Sequence, residues 1–314
     1  MLFNFTLYKD LIIKELKECL KDVEVELVKN KKNNGIETMG IHMRSKELTV
    51  SPIIGIEDAK EIYNYDDVER FVTKAMAVYR HADEKNGTGV EVLENWQVIK
   101  SIVRPLVINY EKNKNYLGSE MPFVKILDLA VTFVIPSQKV LPEYGEGKIR
   151  VNNKMMKSWK VNEQILYQQA LKNMETEGYK FNDIESVLFD LWEDAGIPNT
   201  SGSPLNVLTC FGSNGGAATL ISKKILTEVC SRLNRRVIYI LPSSIHELLI
   251  VDMKEIEVQG FKNMVTEVNE VFVEDEEILS DNVYVFDSVT GELEIAGVTN
   301  DVDENRCVSI GNIV

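Results

Sequence analysis

The stretch that most constrains this chain runs from Arg235 to Asp252, where two apolar runs flank a short polar break. Val237–Leu241 and Leu248–Val251 are apolar at both alternating positions, the composition of strands covered on both faces. Between them Pro242 has no N–H to give to a ladder, and Ser243 and Ser244 favour a turn. The rest of the chain is therefore expected to cover a central hairpin. Nothing in the hairpin by itself identifies a reaction.

Length and charge narrow the classes of function. With 314 residues and 44% hydrophobic content the chain can bury one large core or two ordinary ones. Its four cysteines, Cys19, Cys210, Cys230 and Cys307, form no Cys-x-x-Cys pair. Neither a disulfide framework nor a thiolate zinc site is expected, and a reducing cytoplasm fits. There is no long uncharged apolar run, and no basic region precedes the first apolar residues, so the chain reads as soluble and unprocessed, with no membrane partner. The net charge of −14, from 35 basic and 49 acidic residues, disfavours direct binding to nucleic-acid phosphates. Beyond solubility, it suits competition for a basic groove on another protein.

Taken in order, residues 7 to 21 place Ile12, Leu16, Cys19 and Leu20 on one helical stripe. Val23, Val25 and Leu27 alternate with glutamates as a half-buried strand, and Asn33-Asn34-Gly35 supplies a hairpin turn before the returning strand Ile36–Met43. A helix over Asp66–Arg80 takes Asp66 or Asp67 as its N-cap. The polar stretch Asp83–Gly89 reads as a linker. Val92, Trp96, Ile99 and Val103 continue a helical stripe closed by Pro105, followed by strands at Leu106–Tyr110, Leu127–Ile135 and Lys148–Val151. Asn152 or Asn153 and then Asn162 cap two helices, and Ile184–Ala195 is a third. Strand Val207–Phe211 and the glycine loop Gly212–Gly216 lead to a helix carrying Ala218, Ile221, Ile225, Val229 and Leu233. Past the hairpin come a helix with Phe261, Met264, Val265, Val268 and Phe272 on one stripe, two strands around Thr290-Gly291, and a tail. The expected fold is α+β, a mixed or antiparallel sheet with a central hairpin covered by helices, plus a smaller N-terminal αββα portion. The expected divisions are 1–88, 89–296 and a tail at 297–314.

Two places invite a chemical reading. Ser243, Ser244, His246 and Glu247 supply the residue types of nucleophile, base and orienter. Neighbours on a strand face opposite sides, however, so Glu247 is ill placed to orient His246. Ser244 shares a face with His246 only if the backbone stays extended. These side chains serve equally well to satisfy turn backbone groups. Gly215 and Gly216 end a loop between a strand and a helix, where backbone N–H groups can hold an anion. Ala217 and Ala218 stand where a phosphate-binding loop needs lysine and a hydroxyl, and a connecting loop explains the glycines as well. His42, His81 and His246 lie far apart with no metal-ligand spacing, so no metal or cofactor is expected.

Several further stretches carry a family resemblance. They are Lys32-Asn33-Asn34-Gly35, Ser51-Pro52, Ile108–Asn113, Leu127-Asp128-Leu129-Ala130, Asn214–Ala218, Tyr239–Glu247, Glu267-Val268-Asn269 and Leu279–Tyr284. On these the chain resembles a bacterial family known only as a domain of unknown function, found in gut clostridia and their mobile elements. The resemblance implies a shared fold and a bacterial origin, carries over no activity, and does not extend to the tail after Ala296. Two classes of function then stand side by side. One is a non-enzymatic cytoplasmic accessory factor that binds another protein, in its sharper form an acidic inhibitor of a defence protein. The other is a hydrolase or transferase using Ser243, Ser244 and His246, with Gly215 and Gly216 near a bound anion.

Overall fold

Local signals set the ends of the elements, as the helix Tyr65–Glu84 shows. Asn64 accepts from the Asp67 N–H at 3.0 Å while the Asp67 carboxylate accepts from the Asn64 N–H at 3.1 Å. This is a reciprocal capping box in which Asn64 is the cap and Asp67 its third-position partner. The expectation that Asp66 or Asp67 caps the helix is corrected by one turn position. The computed structural model describes residues 3–44, 53–55, 62, 64–84, 90–140, 147–186, 203–211, 215–253, 256–297 and 307–309. The helix expected over Ile184–Ala195 lies outside them beyond residue 186. Among the described residues no helix is long and apolar enough to cross a membrane.

The chain is α+β with open antiparallel sheets, and it divides into two compact units. The smaller comprises Met1–Val98 with Ser137–Gly147. Its strands β1 (Glu24–Lys31) and β2 (Glu37–Arg44) pair in one register from Glu24↔Arg44 to Lys31↔Glu37, and β3 (Ile53–Gly55) adds to β2. Asn34 and Gly35 take the left-handed φ values, 59° and 72°, that turn the hairpin. The helices Phe3–Cys19 and Tyr65–Glu84 pack together over Ile12, Leu16, Val25, Ile41, Phe71 and Tyr79. Cys19 is exposed, off the expected stripe.

The larger unit comprises Ile99–Pro136 and Lys148–Val314. The expected helical stripe through Val103 is instead two short helices, Val90–Glu94 and Trp96–Ile99, and Pro105 lies inside a strand. A four-stranded sheet contains β4 (Arg104–Asn109), β5 (Val124–Ile126), β6 (Leu129–Pro136) and β7 (Lys148–Arg150). Strand β6 is buried throughout. One of its edges takes β4, and the other takes β5 and β7 in tandem. The helix Glu163–Glu177 covers this sheet, capped by Asn162 as its sequence predicts. Ile165 on this helix is exposed, while Leu166, Ala170 and Met174 are buried.

The second sheet has seven strands in the order β14-β13-β12-β10-β11-β9-β8. These are β8 (Lys180–Asp183), β9 (Leu205–Thr209), β10 (Val237–Leu241), β11 (Leu248–Val251), β12 (Tyr284–Asp287), β13 (Glu292–Ile295) and β14 (Cys307–Ser309). The hairpin β10–β11 is central, as its composition requires. The expected single helix from Ala218 to Leu233 is broken. Gly216–Ile221 is a fully buried 3-10 segment packed against β4 of one sheet and β9 and β11 of the other, and the α-helix starts only at Lys223. Ser222 makes the break by accepting the Ile225 N–H on its hydroxyl. The helix Val258–Phe272 lies on the sheet around Leu241, Val251 and Val283.

Candidate functional site

The β10–β11 connection, Pro242–Glu247, is held by its own turn and by three distant segments. Ser244 donates its N–H to the Glu247 carbonyl at 3.4 Å, and the Ser244 hydroxyl accepts the His246 N–H at 3.0 Å. Ile245 receives the Ala217 N–H on its carbonyl and gives its own N–H to the Glu277 carbonyl. Thr209, at the end of β9, donates its hydroxyl to the His246 carbonyl at 2.8 Å. These bonds pair backbone groups that burial would otherwise leave open.

The imidazole completes the set. His246 Nδ1 accepts from the Gly215 N–H at 3.3 Å, and Nε2 lies 3.1 Å from Glu277 Oε1. A backbone N–H can only donate, so Nδ1 is the acceptor and the ring proton sits on Nε2, directed at the carboxylate. The ring is 29% exposed and its carboxylate partner 39%. Both nitrogens are therefore engaged while the histidine is neutral. Glu247, adjacent in sequence, and Ser243 are half-buried beside the turn, and neither is a hydrogen-bond partner of the imidazole.

The glycines have separate local reasons. Gly215 holds a φ of 94°, a left-handed conformation that presents its N–H to His246. At Gly216 a Cβ would strike the Thr209 hydroxyl, the His246 carbonyl and the Cys210 N–H. Its absence lets the end of β9, the hairpin connection and the 3-10 segment come together. The helix N-terminus that follows is the buried 3-10 segment, with the Ala217 N–H already given to Ile245. Residues 212–214 of the expected loop lie outside the described residues.

Two residues that the sequence reading left out stand at this cluster. Glu277 is 31 positions from its histidine. Lys148, on β7, brings its amine to within 3.6 Å of where a Gly215 Cβ would sit. Burial, then the Arg150 charge, hold that amine below the usual lysine range, while Glu277 opposes the shift. The nearby thiol of Cys210 is pushed up by burial and contacts the Gly216 carbonyl at 3.7 Å. An imidazole, a carboxylate and an ammonium are gathered here. Among the described residues the imidazole bonds the Gly215 N–H and Glu277, the Ser244 and Thr209 hydroxyls bond the His246 backbone instead, and no three His, Cys, Asp or Glu side chains gather as a metal site. His42 lies elsewhere, in a cross-strand pair with Glu26, and His81 is in the helix Tyr65–Glu84.

A second polar cluster joins the two sheets of the larger unit. Leu127 takes a φ of 53° in the β5–β6 turn, next to Asp128. The Asp128 carboxylate accepts from Ser280 Oγ at 2.6 Å, Asn282 Nδ2 at 2.9 Å and Tyr284 Oη at 2.9 Å. Burial, then the Asp128 charge, raise the Tyr284 phenol well above its usual range and keep it a donor. Asn109 caps its own short helix and gives its amide to the Leu279 carbonyl, and Asn269 reaches Ser280 and Asp281 in the same way.

Residues 5–288 match a family of unknown function, DUF5688. The chain belongs to that family. No curated protein and no solved structure matches it. The stretches that carried the resemblance in sequence fall largely on the two polar clusters. Asp128, Asn269 and Leu279–Tyr284 build the joint between sheets, while Gly215, Gly216 and Tyr239–Glu247 build the hairpin tip.

Proposed function

We propose that this DUF5688 chain is a non-enzymatic accessory factor that acts in the bacterial cytoplasm by binding another protein. The observation that carries the proposal is the state of His246, whose two nitrogens are both engaged, one by the Gly215 N–H and one by Glu277. A general base needs a free nitrogen within reach of the proton it removes. The Ser244 hydroxyl, bonded to the His246 backbone, offers no such proton to the ring. In this reading the hairpin polarity supports the fold, and the net charge of −14 favours a basic surface on the partner. An acidic inhibitor that occupies the basic groove of a defence protein is its sharper form.

The test is affinity capture from native bacterial lysate with the wild type beside a folded Ser243→Ala, Ser244→Ala, His246→Ala variant. Both proteins are also assayed on generic ester and phosphoester substrates. The expected result is one stoichiometric partner held by both and no turnover by either. Turnover by the wild type that the variant loses overturns the proposal in favour of a hydrolase or transferase.

A further inference from the structure

One face of the four-stranded sheet carries cations. Residues directly opposite each other on antiparallel strands share a face, and here Leu106 pairs with Thr132, Val134 with both Arg104 and Arg150, and Pro136 with Lys148. Arg104, Lys148 and Arg150 therefore stand on the same face as Leu106. The turn at Gly215 lies over that face, because a Cβ built there would come 3.2 Å from Leu106 Cδ1 and 3.6 Å from the Lys148 amine. Apart from the glycine and its two chain neighbours, no other atom of the described residues lies within 4 Å of that point. The ammonium thus borders open space under a left-handed glycine.

Arg104 is matched within the fold. Its Nη2 lies 2.7 Å from Glu177 Oε2, and its guanidinium covers the Phe211 ring at 4.3 Å. The half-buried Lys148 amine, by contrast, makes no ion pair and no hydrogen bond among the described residues. Glu277, whose charge reaches it, is bonded to His246 Nε2 instead. Arg150, two residues along β7 on the same face, adds a like charge. An ammonium partly withdrawn from water beside a guanidinium is costly, and an anion between them removes that cost. Backbone donors are already spent, since the Gly215 N–H goes to His246 and the Ala217 N–H to Ile245. An anion here is therefore held by side chains. A phosphate group carries a charge of about −1.5 to −2 at neutral pH and directs its oxygens several ways, so one can take the ammonium beside Gly215 while others face the Arg150 fork. A carboxylate has a single charge and two oxygens in one plane. A nucleic acid is opposed by the net charge of −14.

We infer that Lys148 and Arg150 form a binding site for a phosphate group, seated beside Gly215 on the sheet face and held by side chains rather than by loop N–H groups. The site stands apart from the protein-binding reading above and involves no catalytic step.

The test is thermal melting of the full chain in a neutral, phosphate-free buffer, with inorganic phosphate added against sodium chloride of equal ionic strength, and titration calorimetry for the affinity. The wild type is expected to melt higher with phosphate, to saturate, and to show one site by calorimetry. Lys148→Met should lose about tenfold or more in phosphate affinity, as should Arg150→Gln at its exposed position. Without phosphate Lys148→Met is expected to melt above the wild type, so its lost response is not a lost fold. Phosphoserine identifies the source. Binding as tight as that of inorganic phosphate assigns the site to a phosphate carried on a larger molecule, and binding of inorganic phosphate alone assigns it to the free ion. A rise that chloride reproduces, a rise that does not saturate, acetate bound as tightly as phosphate, or wild-type phosphate affinity in either variant overturns the inference.

Discussion

The hairpin tip and the outer face of the Val258–Phe272 helix belong to the same unit and treat their chemistry in opposite ways. At the tip, the groups that look reactive in sequence are consumed. The His246 ring is bonded by the Gly215 backbone N–H and the Glu277 carboxylate, the Ser244 hydroxyl accepts a backbone N–H, and Gly216 exists to let backbone close on backbone. On the helix, side chains that look like core in sequence stand in water, with Phe272 79% exposed. Unsatisfied chemistry is where a partner gains free energy by binding. A satisfied polar cluster offers little of it, because a ligand would have to break bonds already made.

Substitutions sharpen or break this contrast, and the largest effect is expected at Gly216. Gly216→Ala forces a methyl into the Thr209 hydroxyl and the backbone of His246 and Cys210. It should cost about 3 kcal/mol in denaturant unfolding; a neutral result would show that the tip is looser than a scaffold must be. Asp128→Ala strands the hydroxyls of Ser280 and Tyr284, which are 2% and 0% exposed. A loss of about 2–3 kcal/mol is expected by the same measurement. His246→Gln, at a half-exposed position, should cost roughly 1 kcal/mol while leaving partner capture intact.

Lys148 gives a smaller effect with a sign set by pH. Its pKa in the folded chain lies below its unfolded value, so between the two the unfolded chain holds more protons and stability rises with pH. Below the folded value the cost of burying the ammonium is present in full. Lys148→Met removes that cost, so the variant should be the more stable at neutral pH. Its advantage should shrink as pH climbs toward the unfolded lysine value, and thermal melts across an alkaline series would show it. A constant difference would mean that Lys148 is as well solvated folded as unfolded. The smallest stability change is expected at the end of the Val258–Phe272 helix, where Phe272→Ser should stay within about 0.5 kcal/mol by the same melts.

What the sequence shows and what it hides follow from range. The hairpin strands announce themselves through contiguous β-branched and aliphatic residues, and Asn152 and Asn162 announce two helices, because the caps bond only two or three residues ahead. The break at Ser222 is hidden because Ala218, Ile221, Ile225 and Val229 keep helical spacing across it, although the first two belong to a 3-10 segment. The wide apolar stripe of Val258–Phe272 gives no sign of which arc meets the sheet, so Met264 and Phe272 read as core. Glu277 sits in an acidic run with no periodicity, and only the folded turn brings it to His246. Of the candidate residues, composition located the tip. The partners that decide its chemistry, Thr209, Glu277 and Lys148, come from elsewhere in the chain.

The measurement that bears most directly on the scaffold role of the hairpin is the protonation state of His246, read from the nitrogen-15 shifts of its ring at neutral pH. The geometry predicts one neutral tautomer, with the proton on Nε2 in slow exchange with water and Nδ1 shifted as a hydrogen-bond acceptor. A mixture of tautomers in fast exchange, or a ring with its proton on Nδ1, would contradict it. Such a ring would be free of Gly215 and available as a base.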